Sequence, residues 1–451
     1  MRVNAASPRA DGALRLPILA AFAAPTLPLA AIIFPSFAIL PGFYASHTGI
    51  PLATIGAILI VARLFDVAVD PIIGFLSDGT RSRWGSRKPW ILAGSLLLSV
   101  ASVHLYGPAP TVSTVYYAGW FLAFYLGYSL IEIPHKAWGT ELARGYEQRA
   151  SIASSFAFAF ALGNLAFAAA PLVFFGNSAG YNAKVLATIG WIVAITLPLC
   201  ALVAISVVGR GTAPMEPSVR IPGVTRDMFR NAPLLRFLTI FLFTGLGQGI
   251  FYGLVFLFVG SVLRLGEMFA WILLSDALVT LLCIPVWYRL VVRLEKHRAW
   301  ALGLVISAAA ILAMWWLPTG DSGFVPLILL VCVRAFGAGV INVAPNALLG
   351  DVVDYELFKR GANRAANFHA LVSIATKATA TIGSGAGLLL IGLAGFEAKG
   401  DNTAGAIFVF DVVTLGLPAI VLIAGAAVAI GFPLDRARHE TIRRRLGERT
   451  V

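Results

Sequence analysis

Charge is scarce in this chain. Only 12% of its 451 residues are Asp, Glu, Lys or Arg, against 59% hydrophobic, and the mean hydropathy is +0.84. Soluble domains carry about 25% charged residues, so that class fits poorly. Cysteine is scarcer still. Cys200, Cys283 and Cys332 stand far apart inside apolar stretches, so packing is their expected role and a disulfide framework is not. No Cys/His cluster has metal-ligand spacing, and neither a phosphate-cradling glycine loop nor a nucleophile elbow follows a strand. Hydrolase and NTPase readings therefore have no support, and neither an enzyme nor a cofactor is expected.

Long apolar runs are what the chain does contain. Spans of about 20 apolar residues centre near residues 30, 62, 98, 126, 161, 197, 249, 281, 308, 336, 382 and 418. Twelve such helices use most of the chain and leave no room for a soluble domain. The net charge of +12 is distributed by topology rather than gathered for nucleic acid. Alternate loops are basic: Arg81, Arg83, Arg87 and Lys88; Arg144 and Arg149; Arg210, Arg220, Arg226 and Arg230; Arg289, Arg293, Lys296 and Arg298; Lys359, Arg360 and Arg364. The tail holds Arg436, Arg438, Arg443, Arg444, Arg445 and Arg449, while the intervening short loops hold only Lys184, Arg264 and Lys399. Such alternation predicts a multi-pass protein of the plasma membrane (the inner membrane in a bacterium) with both termini cytoplasmic. The N-terminus reads as a retained tail rather than a signal peptide. Membrane lipid is an expected partner, nucleic acid is not, and a monomer suffices.

Three charges interrupt the second span. Arg63, Asp66 and Asp70 fall at i, i+3 and i+7, on one face of a helix. A charge at the bilayer centre costs roughly 2.5–3.5 kcal/mol on insertion scales. Such groups persist where they face a polar cavity, pair, or bind something, so they mark an ion or substrate path.

The chain also carries a faint copy of itself. Trp90 and Trp300, and Asp66 and Asp276, are each 210 residues apart, while Pro134 and Pro345, and Arg149 and Arg360, are 211 apart. The shared offset predicts two six-helix halves, 15–209 and 234–432, joined by a linker at 210–233 and flanked by tails at 1–14 and 433–451. Parallel halves of this kind place the substrate site between them near the midplane. Pro25, Pro28, Pro35 and Pro41 recur through the first span and predict a kinked helix.

Longer motifs carry a family resemblance. The run from Arg63 through Asp66, Asp70-Pro71, Gly74, Ser77-Asp78 and Thr80-Arg-Ser-Arg-Trp-Gly85 to Lys88-Pro-Trp90 resembles the signature of glycoside–pentoside–hexuronide:cation symporters. These are the melibiose-permease-like branch of the major facilitator superfamily. Glu132-Ile-Pro134 with Gly139-Thr-Glu141 is a second match, and Gly350-Asp351-Val-Val-Asp354-Tyr355 with Lys359, Gly361, Arg364 and Lys377 is a third. The resemblance implies an all-α membrane protein of twelve spans with the major-facilitator fold. It implies a coupling-cation site (H⁺ or Na⁺) at Asp66 and Asp70, which would be the ligands if Na⁺ is used, with Ser129, Arg63 and Lys377 assisting. It further implies a solute site at Glu132 and Lys377. Trp138, Tyr128 and Asn342 are added as candidate lining. Asp78, Arg83, Arg87, Glu141, Asp351, Asp354 and Arg360 are expected to form a cytoplasmic charge network that holds one state closed and breaks as the halves rock.

The sequence departs from the pattern where the solute would bind. No Asp or Glu lies between Asp11 and Asp66, Val69 precedes the second carboxylate of span 2, and Lys136 and Asn342 stand where sugar-stacking aromatics are found. The expected function is cation-coupled symport of a sugar, glycoside or related small polar solute, with H⁺ favoured over Na⁺. A same-fold carrier of an amphiphile or lysolipid, and a non-transporting membrane sensor, stay open as alternatives.

Overall fold

The computed structural model describes residues 14–143, 146–176, 180–209, 230–361, 364–400 and 402–449. The N-terminal tail, Arg144 and the linker stretch 210–229 with its arginines lie outside the described residues. Among those described, all regular structure is helical. A chain in hydrocarbon must satisfy each backbone N–H and C=O internally, and a helix does so within one segment.

Among the described residues, ten helices are long and apolar enough to cross a membrane, and the bent pair Gly266–Leu282 and Ile284–Leu294 makes an eleventh span. The twelfth, Thr114–Leu142, is 29 residues long and less apolar, since it carries Glu132, His135 and Lys136. In order, span 1 is Leu16–Ala38, span 2 Leu52–Gly79, span 3 Lys88–Tyr106, span 4 Thr114–Leu142, span 5 Glu147–Phe175 and span 6 Ala183–Val207. The second half follows with span 7 (Ala232–Val262), span 8 (the bent pair), span 9 (Lys296–Trp316), span 10 (Asp321–Arg360), span 11 (Asn367–Leu393) and span 12 (Ala404–Ile430). Side-chain caps open several of them. Ser113, Asn182, Asn231 and Thr403 each accept a bond from the backbone N–H three residues on.

Proline breaks span 1 as its spacing predicts. Helix stops at Ala23 and restarts at Thr26 behind Pro25; it stops again at Ala38 and restarts at Leu40, just before Pro41. Cys200, Cys283 and Cys332 are free thiols.

The halves meet tightly on the face opposite the basic loops. A methyl on Gly56 of span 2 would come 2.5 Å from the Gly385 carbonyl of span 11, and one on Gly392 would come 2.3 Å from the Ala53 nitrogen. Gly180, between spans 5 and 6, sits equally close to Gly266, and its N–H donates to Glu267 at 3.1 Å. Ser384 of span 11 donates to the Phe37 carbonyl of span 1 at 2.7 Å. Small residues allow this backbone approach, the usual way helices associate in lipid.

Candidate functional site

Span 2 supplies the centre of the site. Arg63 Nη1 donates to Asp66 Oδ2 at 2.5 Å, one turn along the same helix face. The two residues are 5% and 1% exposed. The guanidinium also lies 5.7 Å from the centre of the Tyr125 ring on span 4. Span 4 is held close by Gly94 and Gly127, which let spans 3 and 4 cross almost backbone to backbone. That crossing fixes Ser129. Its Oγ lies 2.5 Å from Asp66 Oδ1 and 2.7 Å from Asp70 Oδ1.

Lys377 of span 11 reaches this group from the other half. It donates to Asp70 Oδ2 at 2.9 Å and pairs with Glu132 Oε2. Glu132 Oε1 accepts from Lys136 at 2.6 Å, and Tyr128 stands within electrostatic reach of Glu132, Arg63 and Asp66. Arg63, Lys136 and Lys377 thus face Asp66, Asp70 and Glu132, three cations against three carboxylates. The row becomes wetter toward the basic face. Side-chain exposure rises from 1% at Asp66 to 22% at Asp70 and 51% at Lys136.

Two expected lining residues lie elsewhere. Trp138 is six residues beyond Glu132, and at about 100° per residue it faces away from it. Its indole donates to the Gly209 carbonyl at 3.2 Å and lies 5.2 Å below the Lys88 ammonium. Asn342 donates to the Gly339 carbonyl at 3.3 Å and closes the short 3-10 turn that interrupts span 10. Lys136 is the member that sequence reasoning passed over, having noted it only as a lost aromatic. Its i,i+4 spacing from Glu132 was the available signal.

A second buried ionic group sits in the second half. Arg334 of span 10 pairs with Asp276 of span 8, and donates to Gln248 at 2.9 Å and Tyr252 at 2.9 Å on span 7. Tyr252 in turn donates to Asp276 at 3.0 Å. Phe34 of span 1 packs edge-on to the Tyr252 ring, so the group touches the first half. The repeat placed Asp276 opposite Asp66, but Gln248 and Tyr252 have no counterpart motif and were not foreseen.

Among the described residues, the basic face carries ion pairs within each half. Arg87 pairs with Asp78, donates to Glu141 at 2.8 Å and to Ser77 at 2.8 Å, all within the first half. Lys296 meets Asp351 at 2.6 Å, and His439 lies 3.3 Å from Asp351 and 2.9 Å from Asp354, all within the second. Glu141 and Asp351 are themselves 210 residues apart, so the repeat extends to these acids. Arg360 stands 3.7 Å from Glu356, and Arg83 lies against Trp84.

A sequence model of the family described as MFS/sugar transport protein matches residues 20–436. The chain belongs to that family. The chain is 25% identical to an uncharacterized symporter of Synechocystis, over 90% of its own length and 92% of the relative's. It is 25% identical to the isoprimeverose transporter of Lactiplantibacillus pentosus, over 84% and 82%. The solved nucleoside transporter NupG superposes with a TM-score of 0.66 at 13% identity, over 93% of this chain and 99% of that one. That likeness confirms the fold of twelve spans in two halves. The chain is a multi-pass membrane transporter of the melibiose-permease-like branch, not an enzyme.

Proposed function

We propose that the protein is a cation-coupled symporter of a sugar, glycoside or related small polar solute, working by alternating access with H⁺ as the coupling ion. The orientation proposed is both termini in the cytoplasm, which makes the basic face the inner face. What carries the reading is the chain of contacts from Arg63 through Asp66, Ser129 and Asp70 to Lys377 and Glu132, which ties the halves together through ionisable groups.

Proton counting favours H⁺. An ionised carboxylate only accepts, and a serine hydroxyl has one hydrogen to give. Ser129 lies within hydrogen-bonding distance of both aspartates, so one of the two contacts needs a hydrogen from elsewhere. A proton on Asp66 or Asp70 supplies it. The remaining oxygens are engaged, Asp66 Oδ2 by Arg63 and Asp70 Oδ2 by Lys377. Three oxygens in direct contact leave little room for a sodium ion between them. The sugar class rests on the family and on the isoprimeverose-transporting relative. Glu132, Tyr128 and Lys377 supply the acceptors and donors that polyol hydroxyls need.

Asp66→Cys and Asp70→Cys should each abolish gradient-driven accumulation while the protein remains in the membrane. Undiminished accumulation would remove the coupling role from these residues. A sodium jump at fixed pH should leave uptake unchanged, and stimulation would replace H⁺ by Na⁺.

A further inference from the structure

An open cavity of about 730 Å³ lies on the basic face, apart from the charged cluster. Its walls are the start of span 7, the end of span 10 and the C-terminal helix Arg436–Arg449. The polar lining is Arg236, Arg438, Tyr355 and Thr441, with Asp435 as the one acid, and the rest is mainly apolar. Arg236 donates to the Gly431 carbonyl and Arg438 to the Pro433 carbonyl at 2.7 Å. Arg438 Nε also stands 3.8 Å from Asp435 Oδ2. Each guanidinium has five N–H donors, so both keep donors to spare.

The cavity's height in the membrane decides what fits. Arg236 lies in the second turn of span 7, about 6 Å above the helix start. Leu235 beside it is 38% exposed, and Ile430 at the end of span 12 is 65% exposed. Cationic donors and hydroxyls thus open beside apolar surface, at the level where headgroups give way to acyl chains. The C-terminal helix adds positive field, with six arginines against Glu440 and Glu448.

We propose that this cavity binds the phosphate headgroup of an anionic phospholipid of the inner leaflet, between Arg236 and Arg438, with the Tyr355 hydroxyl as a further donor. Basic pockets between spans on the cytoplasmic side suit such headgroups. Asp435 opposes the phosphate and sets the strength of binding. Occupancy pins the C-terminal helix to span 7.

Native mass spectrometry of the purified full chain, titrated with phosphatidylglycerol, phosphatidylcholine and inorganic phosphate, tests this. Each cation near an anionic headgroup strengthens binding about fivefold, so phosphatidylglycerol should bind about twentyfold more tightly than phosphatidylcholine. The double variant R236Q/R438Q should erase that preference. D435N should raise it, and Asn keeps the cap that Asp435 gives the Arg438 N–H at 2.8 Å, so this variant decides the matter if the double variant misfolds. Equal binding of the two lipids, or a preference unmoved by either variant, would overturn the proposal. Competition by inorganic phosphate as strong as by the lipid would make it a soluble-phosphate site instead.

Discussion

Lys136 and Lys377 both hold Glu132, yet their surroundings differ enough to separate their roles. The Lys136 side chain is 51% exposed and pairs one turn along its own helix, where such contacts contribute about 0.3–0.5 kcal/mol. The Lys377 side chain is 17% exposed and is shared between Asp70 and Glu132 across the halves. Removing it takes the only cation from Asp70, which keeps the Ser129 hydroxyl alone, and leaves Glu132 to Lys136; losing one member of a buried pair costs roughly 3–5 kcal/mol. Lys136→Ala should therefore alter the initial uptake rate in proteoliposomes by less than about threefold. Lys377→Ala should lower it about a hundredfold or more. Equal losses in the two variants would mean that exposure does not rank them.

Among the helices, the glycine contacts on the face opposite the basic loops, the outer face in the proposed orientation, are expected to set which state is closed. The Gly56 Cα faces backbone atoms of Gly385 and Leu389, which no side-chain movement can clear. Gly56→Ala should push spans 2 and 11 apart, at a cost near the 1–3 kcal/mol of overpacked sites. That is about five- to a hundredfold in the population closed outside. A cysteine at Ala53, in a chain with its three natural cysteines replaced, should then react faster with an impermeant maleimide. An unchanged rate would show that this contact does not limit outer opening. The elements themselves were legible in the sequence, because apolar length and basic-loop alternation read out directly in a bilayer. Arg63, Asp66 and Asp70 were legible too, since charge in a span is costly and helical spacing fixes the shared face. Lys136, Gln248 and the true place of Trp138 were not. They depend on how each helix is rotated about its axis, and that is set by contacts such as Gly94 against Gly127 between distant stretches of chain.

For the whole molecule, the pairs of Lys377 with Asp70 and Glu132 are the contacts that must change in the proposed cycle, because both join the halves at the level of the site. While Asp70 is charged, opening the outer face strains or breaks its pair with Lys377. A proton on Asp70 removes one of the two attractions, and in the proposed cycle the bound solute competes with Glu132 for Lys377. Under the proposed function, coupling then needs no dedicated relay: the ion loosens one of the contacts that the rocking motion must part. Asp70→Asn imitates the protonated state permanently. It should therefore retain solute–solute counterflow in proteoliposomes, within about tenfold of the parent, a change of some 1.4 kcal/mol in barrier. It should show no accumulation under a pH gradient. Loss of counterflow together with accumulation would place Asp70 in solute binding and not in coupling, and would shift the search for the proton to Asp66.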